Sequence, residues 1–304
     1  MNRMRRPVLL QVLLALAALV PIHADRASAR APASASARPL IVFMTDFGTL
    51  DDAVAISKGV MLGIAPAAQI VDITHQVTPY AIADGARLLA RTALYYPAGT
   101  VFVTVIDPGV GTARRSIVVK TRRGQYFVLP DNGLVTAVAD RDGVEAVREI
   151  INQSWLLANS ASSTFHGRDV YSPVGAHLAR GEDWTRVGPA VAGLTRLDAA
   201  RAVLGQQGID GAVVALDGPY GNLVTNIGAA DFRALGYTLG DSVRVVAAGT
   251  ELTVPFAATF GGVPPGTPLL FIDSRGLVSL AVNQGDFSEA YSVHPPASLR
   301  IYRK

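Results

Sequence analysis

Three short stretches of the chain carry residue types suited to chemistry. In VIDPGVGTARRS (105–116), Asp107 is followed by Pro108, Gly109 and Gly111, then by Arg114 and Arg115. The proline and glycines let the backbone turn sharply and come close to a ligand. A carboxylate and guanidinium groups gathered round such a turn suit the activation of water. In MTDFGTLDD (44–52), Asp46, Asp51 and Asp52 crowd into seven residues. Helix capping accounts for one or two of these acids, but Asp46 lies well before the helical pattern begins. A carboxylate there can accept two hydroxyl hydrogen bonds from a ribose diol. In SSTFHGRDVYSP (162–173), His166 stands between Phe165 and Gly167. The other histidines, His23, His75, His177 and His294, sit in ordinary company and read as structural, surface or processed.

Two weaker signals come later. DGPYGNLVTN (217–226) offers Tyr220 as a stacking surface and Asn222 as an amide able to read an adenine edge, although PYGN is equally a plain hairpin turn. DSRG (273–276) offers Ser274 and Arg275 to a carboxylate.

The elements that position these residues follow from hydrophobic periodicity. PLIVFM, QIVDI and TVFVTVI are short apolar runs rich in β-branched residues. Between them lie two helical stripes, one through Ala53, Ile56, Val60 and Ile64, the other through Ile82, Ala86, Leu89, Ala90 and Ala93. This alternation predicts a mainly parallel sheet flanked by helices, with apolar strands buried on both faces. Asp46 and Asp107 then emerge at the carboxyl edge of that sheet, where α/β proteins bind ligands. SIVVKT and QYFVLP read as a hairpin. From GAVVALDG onward the texture becomes short strands separated by Gly, Pro, Asn and Asp, with DFRALG as the one helical segment. That predicts a smaller all-β domain, barrel-like. The expected division is an N-terminal α/β domain over 39–200 and a C-terminal β domain over 201–304.

Residues 1–24 join a basic start to a thirteen-residue apolar run and end at Ala24, the plan of a secretory signal peptide. Ala29 offers a second cleavage position, and the apolar run is short of the roughly 20 residues a bilayer needs. Residues 25–38 read as an Ala/Ser-rich flexible leader. The expectation is therefore an exported protein, periplasmic or secreted, without a stable membrane anchor after cleavage. Arg3, Arg5 and Arg6 are the charged residues of the leading segment; without them 24 basic residues face 24 acidic ones. A net-neutral chain with no basic stripe argues against a nucleic-acid partner. The absence of cysteine excludes disulfides and thiolate chemistry.

Taken in order, TDFG, DITH, IDPGVGTxRR, PDNG, STFHGRD, GNLVTNI and the SRG segment resemble the S-adenosyl-L-methionine hydrolase (hydroxide adenosyltransferase, adenosine-forming) family. That family is related to fluorinating and chlorinating enzymes, and the likeness spans nearly all of 39–304. The resemblance implies a homotrimer whose active site lies between the α/β domain of one subunit and the β domain of the next. It implies SN2 attack of water or hydroxide at ribose C5′, giving adenosine and L-methionine without cofactor or metal. Asp107, Arg114 and His166 match the water-handling set, which halogenating relatives lack. Asp46 and Asp51 match the positions that hold the ribose and the methionine end; Tyr80, Phe165 and Tyr220 match pocket walls. Asp217 and Asn222 match nucleoside contacts, and Ser274 and Arg275 match methionine contacts. Where halogenase-branch relatives carry an arginine near adenine, this chain has Val282, whose backbone alone can serve.

Two other readings make different demands. A nucleoside hydrolase also begins with clustered acids that bind calcium, but its further aspartate is replaced here by Met44, a poor ligand for a hard cation. A non-catalytic exported nucleoside-binding protein would bind without turnover.

Overall fold

The chain is described from a computed structural model covering residues 38–158, 163–198 and 201–304. The expected signal peptide (1–24), all of the leader but Arg38, and the proposed domain boundary at residue 200 lie outside the described residues. The first sheet is built from β1 (Leu40–Thr45), β2 (Gln69–Thr74), β3 (Val101–Val105), β4 (Ser116–Thr121), β5 (Tyr126–Pro130) and β6 (Val144–Glu149). Its order is β2-β1-β3-β5-β4-β6. The pairs β1–β2, β1–β3 and β3–β5 are parallel, whereas β4 runs antiparallel to both its neighbours. The sheet is thus mixed, parallel through its first four strands.

Helices cover both faces. Ile41, Phe43, Val101, Val103 and Val105 pack on the side of α1 (Ala53–Ile64) and α4 (Ser172–Ala179). The alternate residues Val42, Met44 and Phe102 pack with Ala86, Leu89 and Ala93 of α2 (Ile82–Ala93) and Val138 of α3 (Thr136–Asp142). Every residue of β3 is buried, which is why these strands read as unbroken apolar runs rather than alternating ones. The stripe expected along α2 is the one buried. On α1 the buried positions are Ser57 and Met61 instead of the expected stripe. That helix is apolar nearly all round, so its composition does not say which side faces inward.

The second sheet holds β7 (Val203–Leu204), β8 (Gly208–Asp217), β9 (Asn222–Gly228), β10 (Ser242–Ala247), β11 (Thr250–Pro255), β12 (Pro268–Ile272), β13 (Leu277–Val282) and β14 (Ala297–Tyr302). The order is β11-β10-β14-β8-β9-β13-β12, with β7 paired to β8. Phe256, just beyond β11, bridges Leu270 of β12, so the edges nearly meet and the sheet curls into a barrel. Leu223, Val245, Leu280 and Ile301 fill it, each fully buried. The expected helix is α5 (Ala229–Arg233); α6 (Phe287–Tyr291), which the sequence reading missed, begins where Asp286 accepts the Glu289 N–H at 2.9 Å. Both sheets belong to one compact unit, Arg38–Lys304.

Phe102 and Phe127 stack at 4.7 Å between ring centroids, both wholly buried, near the start of β3, at the far end of the strand from Asp107. Phe102→Ala removes that ring and should lower folding stability by about 3–5 kcal/mol, measured as a drop in chemical-denaturation midpoint at an unchanged slope.

Candidate active site

Strand register brings the first two acids together. Thr45 of β1 pairs with Val105 of β3, so Asp46 and Asp107 leave the same edge one and two residues later. This is the point where the chain, having placed β2 on one side of β1, places β3 on the other, and such switch points open a crevice. A cavity of about 370 Å³ lies there, lined by Asp46, Tyr80, Asp107, Phe165 and His166 among others.

The turn after β3 folds as its composition demands. Gly109 N–H donates to Asp107 Oδ1 at 3.1 Å. Arg114 donates through Nη2 to Asp107 Oδ2 and through Nη1 to the Arg115 carbonyl at 3.0 Å. The Asp107 side chain is 4% exposed. Burial pushes its carboxyl above the usual range, against the opposing pull of Arg114, the Gly109 amide, His166 and Tyr171. Arg115 turns away and binds Asp131 through Nη2 at 2.6 Å, so one guanidinium, not two, serves Asp107. Gly111 has φ +78°, and a Cβ there would sit 2.9 Å from the Ser163 carbonyl. The glycine therefore lets the Asp107 turn and the His166 loop touch.

His166 opens a π-helical turn, Gly167–Tyr171, that runs into α4. The cause is Pro173, which has no N–H to give the Asp169 carbonyl. That carbonyl takes the Leu157 N–H instead at 3.0 Å, and Ser172 N–H reaches back to Gly167 O. Gly167 packs against Phe47, whose ring a Cβ would meet at 2.7 Å. Phe47 and Phe165 meet edge to face at 5.9 Å and form an apolar wall. His166 Nδ1 and Arg114 Nε are buried and have no protein partner among the described residues. Two donor or acceptor positions beside a buried carboxylate are thus left for a small polar molecule.

The turn bearing Asp46 is braced by the DITH segment. His75 Nδ1 lies 2.8 Å from Thr45 Oγ1 and its Nε2 lies 3.1 Å from Asp72 Oδ1. The Gly48 N–H donates to the His75 carbonyl at 2.7 Å. Asp46 Oδ2 accepts the Tyr80 N–H at 2.9 Å, which holds Tyr80 at φ +66°, a strained value for a non-glycine residue.

Other expected site residues fall elsewhere. Asp51 is exposed and accepts the Ala53 N–H at 3.1 Å in the turn that leads into α1. Neither Asp51 nor Asp52 is among the residues that line the Asp46 cavity. Tyr220, Asn222 and Val282 line a second cavity of about 470 Å³ on the barrel. Phe260 joins them there, a residue the sequence reading passed over; its signal was an aromatic beside paired glycines in an exposed turn. Arg275 grips Asp217 with both terminal nitrogens at 2.7 Å and also pairs with Asp273. Ser274 is exposed in the same turn. The two cavities have no lining residue in common. Tyr171, fully buried, was also missed: its hydroxyl accepts from Ser116 Oγ at 3.0 Å, and its ring lies 6.4 Å from that of His166.

Comparison with known proteins places this geometry. Residues 41–188 match the SAM hydroxide adenosyltransferase N-terminal domain, and residues 211–300 match the C-terminal domain. The chain belongs to the SAM hydroxide adenosyltransferase family. It is 41% identical to the (R)-S-adenosyl-L-methionine hydrolase of Salinispora arenicola, over 86% of this chain and 97% of that protein. It is 32% identical to a fluorinase of Actinoplanes sp., over 85% of this chain and 96% of that protein. The crystal structure of an uncharacterized conserved protein from Thermotoga maritima superposes with a TM-score of 0.81 at 40% identity, covering 86% of this chain and 99% of that one. Fold and family agree with the sequence expectation.

His75 gives a pH prediction. Burial lowers its pKa from the ordinary 6.5, so the unfolded chain binds the proton more readily than the folded one. Folding stability should fall as pH drops through 6.5 and level off once the folded-state imidazole is protonated. Urea midpoints measured across that range should show the decline in the native protein, and His75→Asn should lack that segment of it.

Proposed function

We propose that this member hydrolyses S-adenosyl-L-methionine to adenosine and L-methionine, with water as the nucleophile. The observation that carries the proposal is the convergence of Asp107 and His166, from two loops, on one cavity that also holds Asp46 and Tyr80, with Arg114 paired to Asp107 beside it. Asp107 and Arg114 orient a water and stabilise its developing negative charge. Unbound water has a pKa near 15.7, so it gains reactivity only as it loses its proton. His166, at the cavity wall with a free ring nitrogen, accepts that proton. The water oxygen bonds to C5′ as the C5′–S bond breaks, and sulfur takes the electron pair. A sulfonium leaves as a neutral thioether, so no acid is required to expel it.

Asp46 holds the ribose diol, and the Phe47–Phe165 wall excludes bulk water from the reacting carbon. Tyr220, Asn222 and Phe260 hold the adenine. Because those residues line a separate cavity, the reading places the complete site between subunits of a homotrimer, one cavity from each of two copies. Export belongs to the same proposal and rests on residues 1–24; the division into two domains near residue 200 rests on the change in sequence texture there.

The test is to incubate purified mature protein with S-adenosyl-L-methionine and to separate the products by chromatography. Adenosine and methionine should appear in equal amounts, with chelator having no effect and chloride or fluoride giving no halogenated nucleoside. Asp107→Ala and His166→Ala should keep substrate binding and lose kcat by about 10²–10⁴-fold. Wild-type rates in both variants would refute the assigned roles, and chelator-sensitive turnover would favour the nucleoside hydrolase reading.

A further inference from the structure

The aromatic rings of the barrel cavity cannot by themselves choose a base. Tyr220 and Phe260 offer flat surfaces there, and every nucleobase has a face that stacks on such a surface. Base identity must be read by hydrogen bonds at the ring edge. Asn222 is one reader. It is 4% exposed, lines the cavity, and its side-chain amide makes no hydrogen bond to protein among the described residues. An amide alone is an ambiguous reader, because it exchanges its acceptor and its donor by a half-turn of the side chain. One orientation suits the Watson–Crick edge of a 6-aminopurine, an N–H beside a ring-nitrogen acceptor. The other suits a 6-oxopurine, a carbonyl beside a ring N–H.

Asp286 lines the same cavity and lacks that ambiguity, since an ionised carboxylate only accepts. Its Oδ1 takes the Glu289 N–H at 2.9 Å and the Ser288 hydroxyl at 2.7 Å. Both bonds fall on Oδ1, which leaves Oδ2 to a ligand. The same two donors hold the carboxyl below its ordinary value of 3.8, so it is charged throughout the neutral range. Carboxylate and amide are also held in register with each other. The Ser288 N–H donates to the Gly221 carbonyl at 3.1 Å, tying the start of α6 to the turn that carries Tyr220 and Asn222. Gly221 has φ +63°, and a Cβ there would overlap the Asp286 carboxyl group. The carboxylate thus lies directly against the backbone between Tyr220 and Asn222, an approach that only glycine permits.

We propose that Asp286 sets base specificity in this cavity: Oδ2 accepts a hydrogen bond from the exocyclic amine of a 6-aminopurine while Asn222 reads the neighbouring ring nitrogen, so that 6-oxopurines are refused. The assignment rests on the reading above that this cavity holds the base. A 6-oxopurine turns a carbonyl toward the carboxylate, and two acceptors then face each other with no proton between them. Sites that leave polar groups unpaired against the wrong ligand discriminate steeply.

The test separates this task from the capping of α6, which asparagine performs as well as aspartate. Titration calorimetry of the purified mature protein should show adenosine bound at least about tenfold more tightly than inosine. Asp286→Asn gives the position a donor, so inosine should gain affinity, adenosine should lose it, and the ratio should fall to within roughly threefold. Asn222→Ala should weaken adenosine binding yet keep the preference for it. An unchanged ratio in Asp286→Asn would overturn the inference, as would a wild-type protein that binds inosine as tightly as adenosine or binds neither. Neither nucleoside contains the bond that is hydrolysed, so this readout is independent of turnover. A protein with the expected preference that releases no adenosine from S-adenosyl-L-methionine refutes the functional reading and leaves Asp286 assigned. A working hydrolase whose Asp286→Asn variant keeps the ratio does the reverse.

Discussion

A carboxylate held almost out of water beside a guanidinium is the contact on which the rest of this molecule turns. Removing the Asp107–Arg114 pair from solvent costs more than its Coulomb attraction is sure to return, and burial does raise the acid's pKa. Such a pair is poor evidence of a device for stability. The surroundings supply what makes it tolerable: a backbone amide from Gly109 and a carbonyl for the second Arg114 nitrogen. The same low-polarity setting strengthens every charge interaction that a reacting water would meet. Arg115, one residue along, goes to Asp131 and ties the hairpin to residues 193–195, beyond α4, so adjacent arginines divide between chemistry and architecture.

The parallel strands explain how two distant stretches of sequence come to share a cavity. Register between β1 and β3 puts Asp46 and Asp107 side by side, and the DITH turn after β2 braces the first of them through His75. Each of the three neighbouring strand ends contributes a loop. The π-helical turn arrives from beyond the sheet, and Gly111 lets it come within contact of the Asp107 turn. The barrel has its own cavity, where Asn222 is 4% exposed between the far more open rings of Tyr220 and Phe260.

Most of the architecture was legible because buried parallel strands and the α2 stripe leave strong periodic signals. The face of α1 was not, since a helix apolar on nearly all sides gives no direction until α4 packs on it. In the site, Asp46, Asp107 and His166 were legible from their company: small turning residues at strand ends. For Asp51 the same logic gives no answer, because an acid just before a helix reads alike whether it serves the turn or a ligand. The placements of Arg275 and Arg115 depend on acids at Asp217 and Asp131, contacts of long sequence separation that no local pattern encodes. Tyr171 was hidden for another reason: a five-residue interval from His166 carries no meaning in either the helical or the strand period.

Pro173 gives that interval a wider significance. Because proline cannot donate, the helix is barred from closing on Asp169, and the surplus residue is locked in rather than left to fluctuate. An amino acid remote from any reacting atom thereby sets the angular phase of the segment ahead of it. Packing already pins α4 itself, where Val174 and Ala176 are wholly buried and a Cβ on Gly175 would strike Val103, and a change at that imino acid would let the winding slip by one residue and scramble which side chains look inward. The vulnerability of the chemistry is in this sense written into the pitch of a helix.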